Sequence, residues 1–479
     1  MRTEKDYIGE IEIPPKALYG IHALRAKNNF PDTTKFSFQW YKAIGLVKKA
    51  CYLTYQDFKK AAEKNYNIEE LPINFLSDEV VVKLIDSAEE ISEGKYFDNF
   101  IVPAIQGGAG TSINMNINEI ISNVSLKKLG FDYGDYQKID PVEAANVFQS
   151  TNDVIPTSLK VASMIQLNEL EESINQLRFK IEELERQNRN VLRMGYTQLQ
   201  EAVPTSFGKM FSSYNDALGR DWWRISKCFE RIKVVNLGGS AIGTSITVPR
   251  FFVMEVVQNL RKITDLPVTK SENLNDATAN VDGLVEVHGI LKAHAVNLEK
   301  ISSDIRLLAS DLVGNKEIEI PQKQVGSSIM PSKVNPVIVE FIVSVTHKVY
   351  ANDVLINQLA GQGQLELNPN LPLIGHSILE SLTLLIAADN SLNKNLFSEL
   401  KVNAKIAEKN LYLSPSITTA LIPFVGYNKS SEISKLMREN KIDVFKANDE
   451  LRIVDTKKIV EILSPDNLLK NGFSLKDII

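Results

Sequence analysis

The sequence predicts an all-α chain on three observations: two heptad-spaced apolar seams, a further apolar stretch of helical length, and little period-2 alternation. Leu167, Leu170, Ile174, Leu177, Ile181 and Leu184 recur at spacings of 3 and 4, with Glu, Arg, Gln and Asn between them. Such a seam reads as a long helix packed in a bundle. Leu284, Val287, Leu291, Leu298, Ile301, Ile305 and Leu308 repeat the pattern, except that His294 takes an expected apolar slot. A histidine there is expected to be buried and satisfied by a neighbouring helix. After the Pro336 turn, the stretch from Val337 toward Leu359 carries apolar residues on every face, which predicts burial on all sides. Alternation is confined to Ile8–Ile13 and Lys316–Ile320, and each runs into a proline, Pro14 or Pro321.

At 479 residues the chain has room for about three domains of ~150 residues. Composition shifts divide it into a mixed region, 1–145, the bundle, 146–404, and a smaller polar helical tail, 405–479. The last boundary lies near the Leu413-Ser414-Pro415-Ser416 break. Asp311–Ser328, rich in charge and glycine between two strong helices, is expected to be a surface loop, and loops of that length tend to be functional. Hydrophobic residues at 44% and charged residues at 24% exclude disordered and collagen-like classes. Lys plus Arg number 54 against 59 Asp plus Glu, with no basic block, so nucleic acid is not an expected partner. Two cysteines, Cys51 and Cys228, fit a reducing, cytoplasmic compartment. The amino terminus lacks the apolar core of a signal peptide. The two best candidates for a membrane span, Val337–Val349 and Leu371–Ala388, are broken by Glu340, Pro372, His376 and Glu380, so none is expected.

The five histidines show no metal-binding spacing, and no dinucleotide or phosphate-binding loop is present, so neither metal nor cofactor is expected. Four clusters instead set small hydroxyl and amide residues beside glycine or proline, which suits backbone approach to a small anion. In the string GGAGTSINMNINE, residues 107–119, Asn114 and Asn118 share a helical face. The glycines leave N–H groups open at the helix start, where a carboxylate docks. The plain alternative is a glycine turn before an Asn-rich capped helix. Gln149-Ser150-Thr151-Asn152-Asp153 precedes Pro156 and the first heptad helix, and as an ordinary N-cap it needs no function. Gly195–Pro204, containing Thr197 and Gln198, reads equally well as a polar turn. The fourth cluster, Gly326–Pro336, places Ser327 and Ser328 after a glycine that offers a hinge. It holds Lys333 and Asn335 between Pro331 and Pro336, a flexible base carrier beside a fixed carboxylate anchor.

That fourth string, GSSIMPSKVNP, resembles the GSSxMPxKxNP signature of the aspartase/fumarase superfamily, whose members eliminate across a carbon–carbon bond to release fumarate. The other clusters stand in the family's order. The resemblance runs from Gly9-Glu10 and Tyr19-Gly20 to Ala420-Leu421-Ile422-Pro423 and Gly426-Tyr427. GGAGTSINMNINE and Thr197-Gln198 are similar to the aspartase branch, where fumarases usually carry an SGTQSNMN-type string and Thr-His. The segment Gly363–Asn368 is intermediate. Three positions depart from the pattern: Phe148 replaces a serine, Ala23 a threonine and Tyr196 a common arginine.

The resemblance implies a three-domain all-α lyase whose central bundle forms a multi-helix core on tetramerisation, each pocket being built from three chains of a homotetramer. It implies conversion of L-aspartate to fumarate and ammonia without a cofactor, and it makes Ser327 the base. The chemistry then needs donors aimed at the doubly charged aci-carboxylate left by proton removal, each worth about 2.7–4 kcal/mol. Thr111, Ser150, Thr151 and Ser328 are the candidates. Lys333 and Asn335 would hold the other carboxylate, and Asn152, Thr197 and Gln198 would receive the ammonium group. Three alternatives remain open: a fumarase-like hydratase, a lyase for N-substituted aspartates, and an inactive helical homologue with a structural role.

Overall fold

The computed structural model describes residues 1–312 and 316–478, so part of the expected 311–328 loop lies outside the described residues. The chain is 62% helical. Among the described residues no sheet exceeds two strands, and the all-α expectation holds. The elements that position the site are strands β1 (Arg2–Asp6) and β2 (Gly9–Ile13), helices α1 (Ile21–Asn29), α2 (Phe38–Asn65), α3 (Asp78–Ser92), α4 (Thr111–Lys128) and α5 (Thr151–Gln187), strands β3 (Leu192–Thr197) and β4 (Gln200–Ser206), and helix α6 (Phe207–Ser226). Longer helices follow at Asp282–Leu308, Val337–Ala360 and Leu371–Ser391.

The first heptad seam lies along α5, and all six of its apolar residues are buried. The second is buried from Leu284 to Ile305, and only Leu308 is partly open. α5 keeps Pro156 inside its first turns. Proline has no N–H to offer the carbonyl four residues back, and the Asn152 carbonyl instead accepts from Asn236 Nδ2 at 2.8 Å. The helix Val337–Ala360 departs from expectation. Val339, Ile342, Val345, Val349 and Ile356 are buried, but Phe341 and Val354 are 39% and 57% exposed and flank an open, largely polar stripe that includes Glu340, Ser344, His347, Lys348 and Gln358, so burial is one-sided rather than complete. The stretch Leu371–Phe397 is long and apolar enough to cross a membrane. Its residues Ile374, Ile378, Leu382, Leu385, Leu392 and Leu396 are spent on packing inside the protein.

Both alternating segments form strands, β2 pairing with β1 and Ile318–Glu319 with Lys401–Val402. The sequence missed the β3–β4 hairpin. Thr197 pairs with Gln200, so the loop is the two residues Gln198 and Leu199, whose φ values are 53° and 60°. Two left-handed residues in a two-residue loop make a type I′ turn, which normally announces itself with Asn-Gly. Here the sequence carries no such signal, and Pro204 lies inside the second strand.

Two compact units make up the chain: Met1–Glu171 with Arg224–Lys292 and Lys348–Leu385, and Glu172–Trp223 with Ala293–His347 and Ile386–Ile479. Each is assembled from separated stretches, a different kind of division from successive segments cut at 145 and 404.

Candidate active site

In the first unit the clusters meet at the starts of α4 and α5. The turn into α4 passes through the left-handed region at Gly108, Ala109 and Gly110 in succession. A side chain on Gly110 would press on Ile155 of α5. Thr111 follows as the first residue of α4 and is exposed. Asn114 and Asn118 do share a face: both donate through Nδ2 to Asn146 Oδ1, at 3.0 and 3.3 Å. Asn114 Nδ2 also donates to Thr151 Oγ1 at 3.2 Å, tying the two helix starts together.

The plain N-cap reading of the second cluster is realised in full. Ser150 Oγ accepts from the Asn152 N–H at 3.2 Å, and Asp153 Oδ1 accepts from the Ser150 N–H at 2.9 Å. Asp153 thus reaches back to the N–H of the cap residue while Ser150 Oγ takes the N–H of Asn152, so two of the free donors at the start of α5 are satisfied. Asp153 Oδ2 further takes the N–H groups of Gly238 and Ser240. Asn152 Nδ2 donates to the Ala241 carbonyl. Asp153 is fully buried. Burial raises its pKa to about 6 against the pull of the three N–H donors and of Lys48. Lys48, on α2 and also fully buried, donates to Asn146 Oδ1 at 3.1 Å, and burial lowers it to about 7.

Sequence reasoning passed over Lys48, Asn146, Asn236 and the Gly238-Gly239-Ser240 turn. A usable signal existed for the last, since Gly-Gly-Ser after Asn236-Leu237 has the same composition as the first cluster. Lys48 lies among apolar helix positions and gives none. Ala109 and Asn152 also border a cleft walled by Lys160, Arg231, Asp276 and Asp282. Burial holds Lys160 down at about 8.

Thr197, Gln198, Ser327, Ser328, Lys333 and Asn335 belong to the second unit. Thr197 and Gln198 occupy the exposed hairpin tip. The 326–335 loop closes on itself: the Gly326 N–H donates to the Lys333 carbonyl at 3.1 Å, and Asn335 Nδ2 donates to the Gly326 carbonyl at 2.7 Å. A Cβ on Gly326 would collide with the Lys333 carbonyl. Glycine is therefore needed for close approach, where a hinge was expected. Ser327 Oγ accepts two backbone N–H groups, from Ile329 at 3.2 Å and Met330 at 3.0 Å. Ser328 and Lys333 are exposed.

The three departures are all engaged in packing. Phe148 sits at φ 55°, and its ring packs on Tyr55, Phe58 and Phe252. Ala23 is fully buried. Its N–H, with those of Gly20 and His22, donates to Glu119 at the start of α1. Burial and the nearby Glu4 push Glu119 up to about 8. The Tyr196 ring lies under the Arg193 guanidinium. His294 is buried as expected, held by Asp221 at 3.0 Å and Asp389 at 3.1 Å.

The first unit thus carries two adjoining helix starts with free polar groups and the second a loop in which Ser327 Oγ accepts two backbone N–H groups, and comparison with known proteins gives the chain its class. The lyase family model matches residues 9–351, and the chain belongs to that family, within the aspartase/fumarase superfamily. It is 36% identical to the aspartate ammonia-lyase of Escherichia coli K12, over 99% of this chain and 98% of that one. Its fold matches a fumarate lyase:delta crystallin from Brucella melitensis with a TM-score of 0.89, at 34% identity over 98% of both chains. A class II fumarase from Schistosoma mansoni matches with a TM-score of 0.86, at 26% identity over 97% of this chain and 98% of that one.

Proposed function

We propose that the chain is an ammonia-lyase converting L-aspartate to fumarate and ammonia. The observation that carries the mechanism is the surroundings of Ser327 Oγ: a hydroxyl oxygen that already accepts two backbone N–H groups is one whose alkoxide is stabilised. Full-length likeness to aspartate ammonia-lyases supports the choice of substrate.

In this reading Ser327 removes a proton from the carbon beside the β-carboxylate, and the electron pair moves into that carboxylate. Thr111, Ser150, Thr151 and Ser328 donate to the aci-carboxylate so formed. The pair then returns to make the carbon–carbon double bond, and the carbon–nitrogen bond breaks to release ammonia. Lys333 and Asn335 hold the α-carboxylate in both states, while Asn152, Thr197 and Gln198 receive the amine. We further assign these residues to different copies of the chain in a homotetramer with shared sites.

The test is fumarate formation on purified protein with aspartate, malate and a panel of N-substituted aspartates in parallel. Turnover of aspartate is expected. Turnover of malate alone would move the chain to the hydratases, of a substituted aspartate alone to another ammonia-lyase specificity. A folded oligomer inert toward all of them would make it a structural homologue.

A further inference from the structure

We propose that Lys48 is a positioning residue which, through Asn146 and Asn114, fixes the Thr151 hydroxyl as a donor toward the bound carboxylate. The identity of that carboxylate rests on the aspartate reading, whereas the polarity of the chain of bonds rests on geometry alone.

A primary amide has one acceptor end and one donor end, and it can turn over unless its neighbours forbid it. Asn146 is held from both ends. Its Nδ2 donates to the Gln149 carbonyl at 3.0 Å, which can only accept, and its Oδ1 faces Lys48 Nζ at 3.1 Å. As an ammonium, the form that prevails below its pKa of about 7, Lys48 can only donate. With Oδ1 fixed in place, the amide beside it must present Nδ2, and Asn114 does so at 3.0 Å. The same Nδ2 reaches Thr151 Oγ1 at 3.2 Å. A hydroxyl that already accepts is left with its O–H to give, and Thr151 stands at the helix start, where the proposed reaction needs donors. The sense of polarity therefore runs from the Lys48 ammonium on α2 to a donor at the start of α5.

A second observation makes the arrangement costly for a network that only packs. Three donors, Lys48 Nζ, Asn114 Nδ2 and Asn118 Nδ2, converge on the single oxygen of Asn146. Asn114 Oδ1 and Asn118 Oδ1 are left buried with no hydrogen-bond partner. Buried orphan acceptors are uncommon and need a reason. Fixing one sense of donation along the row supplies that reason.

The experiment is a double-mutant cycle read by succinate affinity and by the separate KM and kcat for aspartate. Lys48→Met should weaken succinate binding and raise KM by about 2- to 10-fold, the worth of one hydrogen bond. In a Thr151→Val background it should add no further loss. Losses that multiply in the double variant would overturn the proposal. If Lys48→Met fails to fold, Asn114→Asp replaces the donor by an acceptor and turns the Thr151 hydroxyl away from the ligand. Its loss should likewise vanish in the Thr151→Val background, and persistence there would be equally fatal. A wild type that neither binds succinate nor turns over aspartate would sink the aspartate reading instead. Crystal structures then decide the Lys48 proposal: it stands if the Asn114–Thr151 bond is present in wild type and broken in Lys48→Met, or in Asn146→Leu should that variant alone fold, and it falls if the bond survives.

Discussion

The starts of α4 and α5 and the 326–335 loop are made of the same residue types, small hydroxyls and amides beside glycine, yet they are built in opposite ways. Around Thr151 the side chains of Lys48, Asn114 and Asn146 are tied to one another or to Thr151, and those of Ser150, Asn152 and Asp153 to backbone groups, over a floor that includes the buried Lys48 and Asp153. Around Ser327 each side-chain bond runs to a backbone group of the same short loop, and Ser328, Ile329, Met330 and Lys333 face outward. The first region is preorganised by the core, so in the proposed reaction a carboxylate would find its donors already aimed. The second supplies two backbone N–H groups to Ser327 Oγ from within itself, which in the proposed reaction would support its alkoxide, and owes little to the core. Substitutions in the loop should therefore cost chemistry without stability, and substitutions beneath the helix starts should cost both.

Ser327→Ala tests the sharpest form of this contrast. Turnover of aspartate should fall by about 100-fold or more, the contribution of a positioned base, while the melting temperature stays where it was, because the residue belongs to an outward-facing loop. Residual activity above about a tenth of wild type would remove Ser327 from the role of base.

Asp153→Ala should do the reverse. It leaves the N–H groups of Ser150, Gly238 and Ser240 without their acceptor and Lys48 without its nearby counter-charge. Breaking such a buried ionic arrangement costs about 3–5 kcal/mol, readable as a lower denaturation midpoint. A midpoint shifted by less than about 1 kcal/mol would mean that the region is not held from beneath. Activity is expected to fall with it, since Ser150 loses the partner that fixes its backbone.

Away from the site, His294 offers a control on how buried charge behaves in this protein. Burial opposes its charge, but Asp389 and Asp221 outweigh burial and hold it at about 10. His288 on the same helix faces one carboxylate, Asp353, and burial wins, lowering its pKa. A histidine raised in the folded state stabilises fully below its unfolded value of about 6.5 and loses that contribution as pH rises through the folded value. The stability lost in His294→Gln should thus be largest near pH 6 and shrink toward pH 10. A loss independent of pH would show that His294 is held as a neutral ring.

Lys333→Met is expected to weaken binding by about 1.5–3 kcal/mol, the scale of a charge-assisted hydrogen bond. It removes a contact present in ground and transition states alike, so KM should rise with kcat little changed. An unaltered dependence on aspartate concentration would take Lys333 out of the pocket and leave the loop with only its serines.

Legibility in the sequence followed the same divide. The helices were readable because burial of one face imposes a period, and the α5 seam is buried along its whole length. His294 was readable as the exception inside such a period. The loop residues were readable because Ser327, Lys333 and Asn335 are neighbours in sequence as well as in space. Lys48, Asn146 and Asn236 were not, because each matters through a partner dozens of residues away, and a lone polar residue in a helix looks the same whether or not it has one. The open stripe of Val337–Ala360 was misread because apolar residues such as Phe341 and Val354 announce burial that the helix delivers on one side only.

The smallest expected effect sharpens the comparison at the hairpin tip, whose exposed Thr197 and Gln198 make it resemble the loop more than the helix starts. Leu199 is held at φ 60° with its side chain 67% exposed, so it bears left-handed strain with little packing in return. That strain costs about 1–2 kcal/mol in a residue with a Cβ, and the extra freedom of glycine in the unfolded chain offsets about 0.5–1 kcal/mol of the relief. Leu199→Gly should therefore stabilise the protein by about 0.5–1 kcal/mol, seen as a rise in melting temperature. If Thr197 and Gln198 alone carry the function of the tip, aspartate turnover should be unchanged by a substitution that preserves their type I′ turn. A more stable protein with lowered turnover would show instead that the strained leucine is retained for the site, as strain often is where backbone geometry serves binding. The tip would then share the loop's logic of accepting local cost for exposed function. A less stable protein would mean that the Leu199 side chain is covered by a neighbouring copy of the chain, and turnover measured on the same sample would separate loss of assembly from loss of contact with substrate.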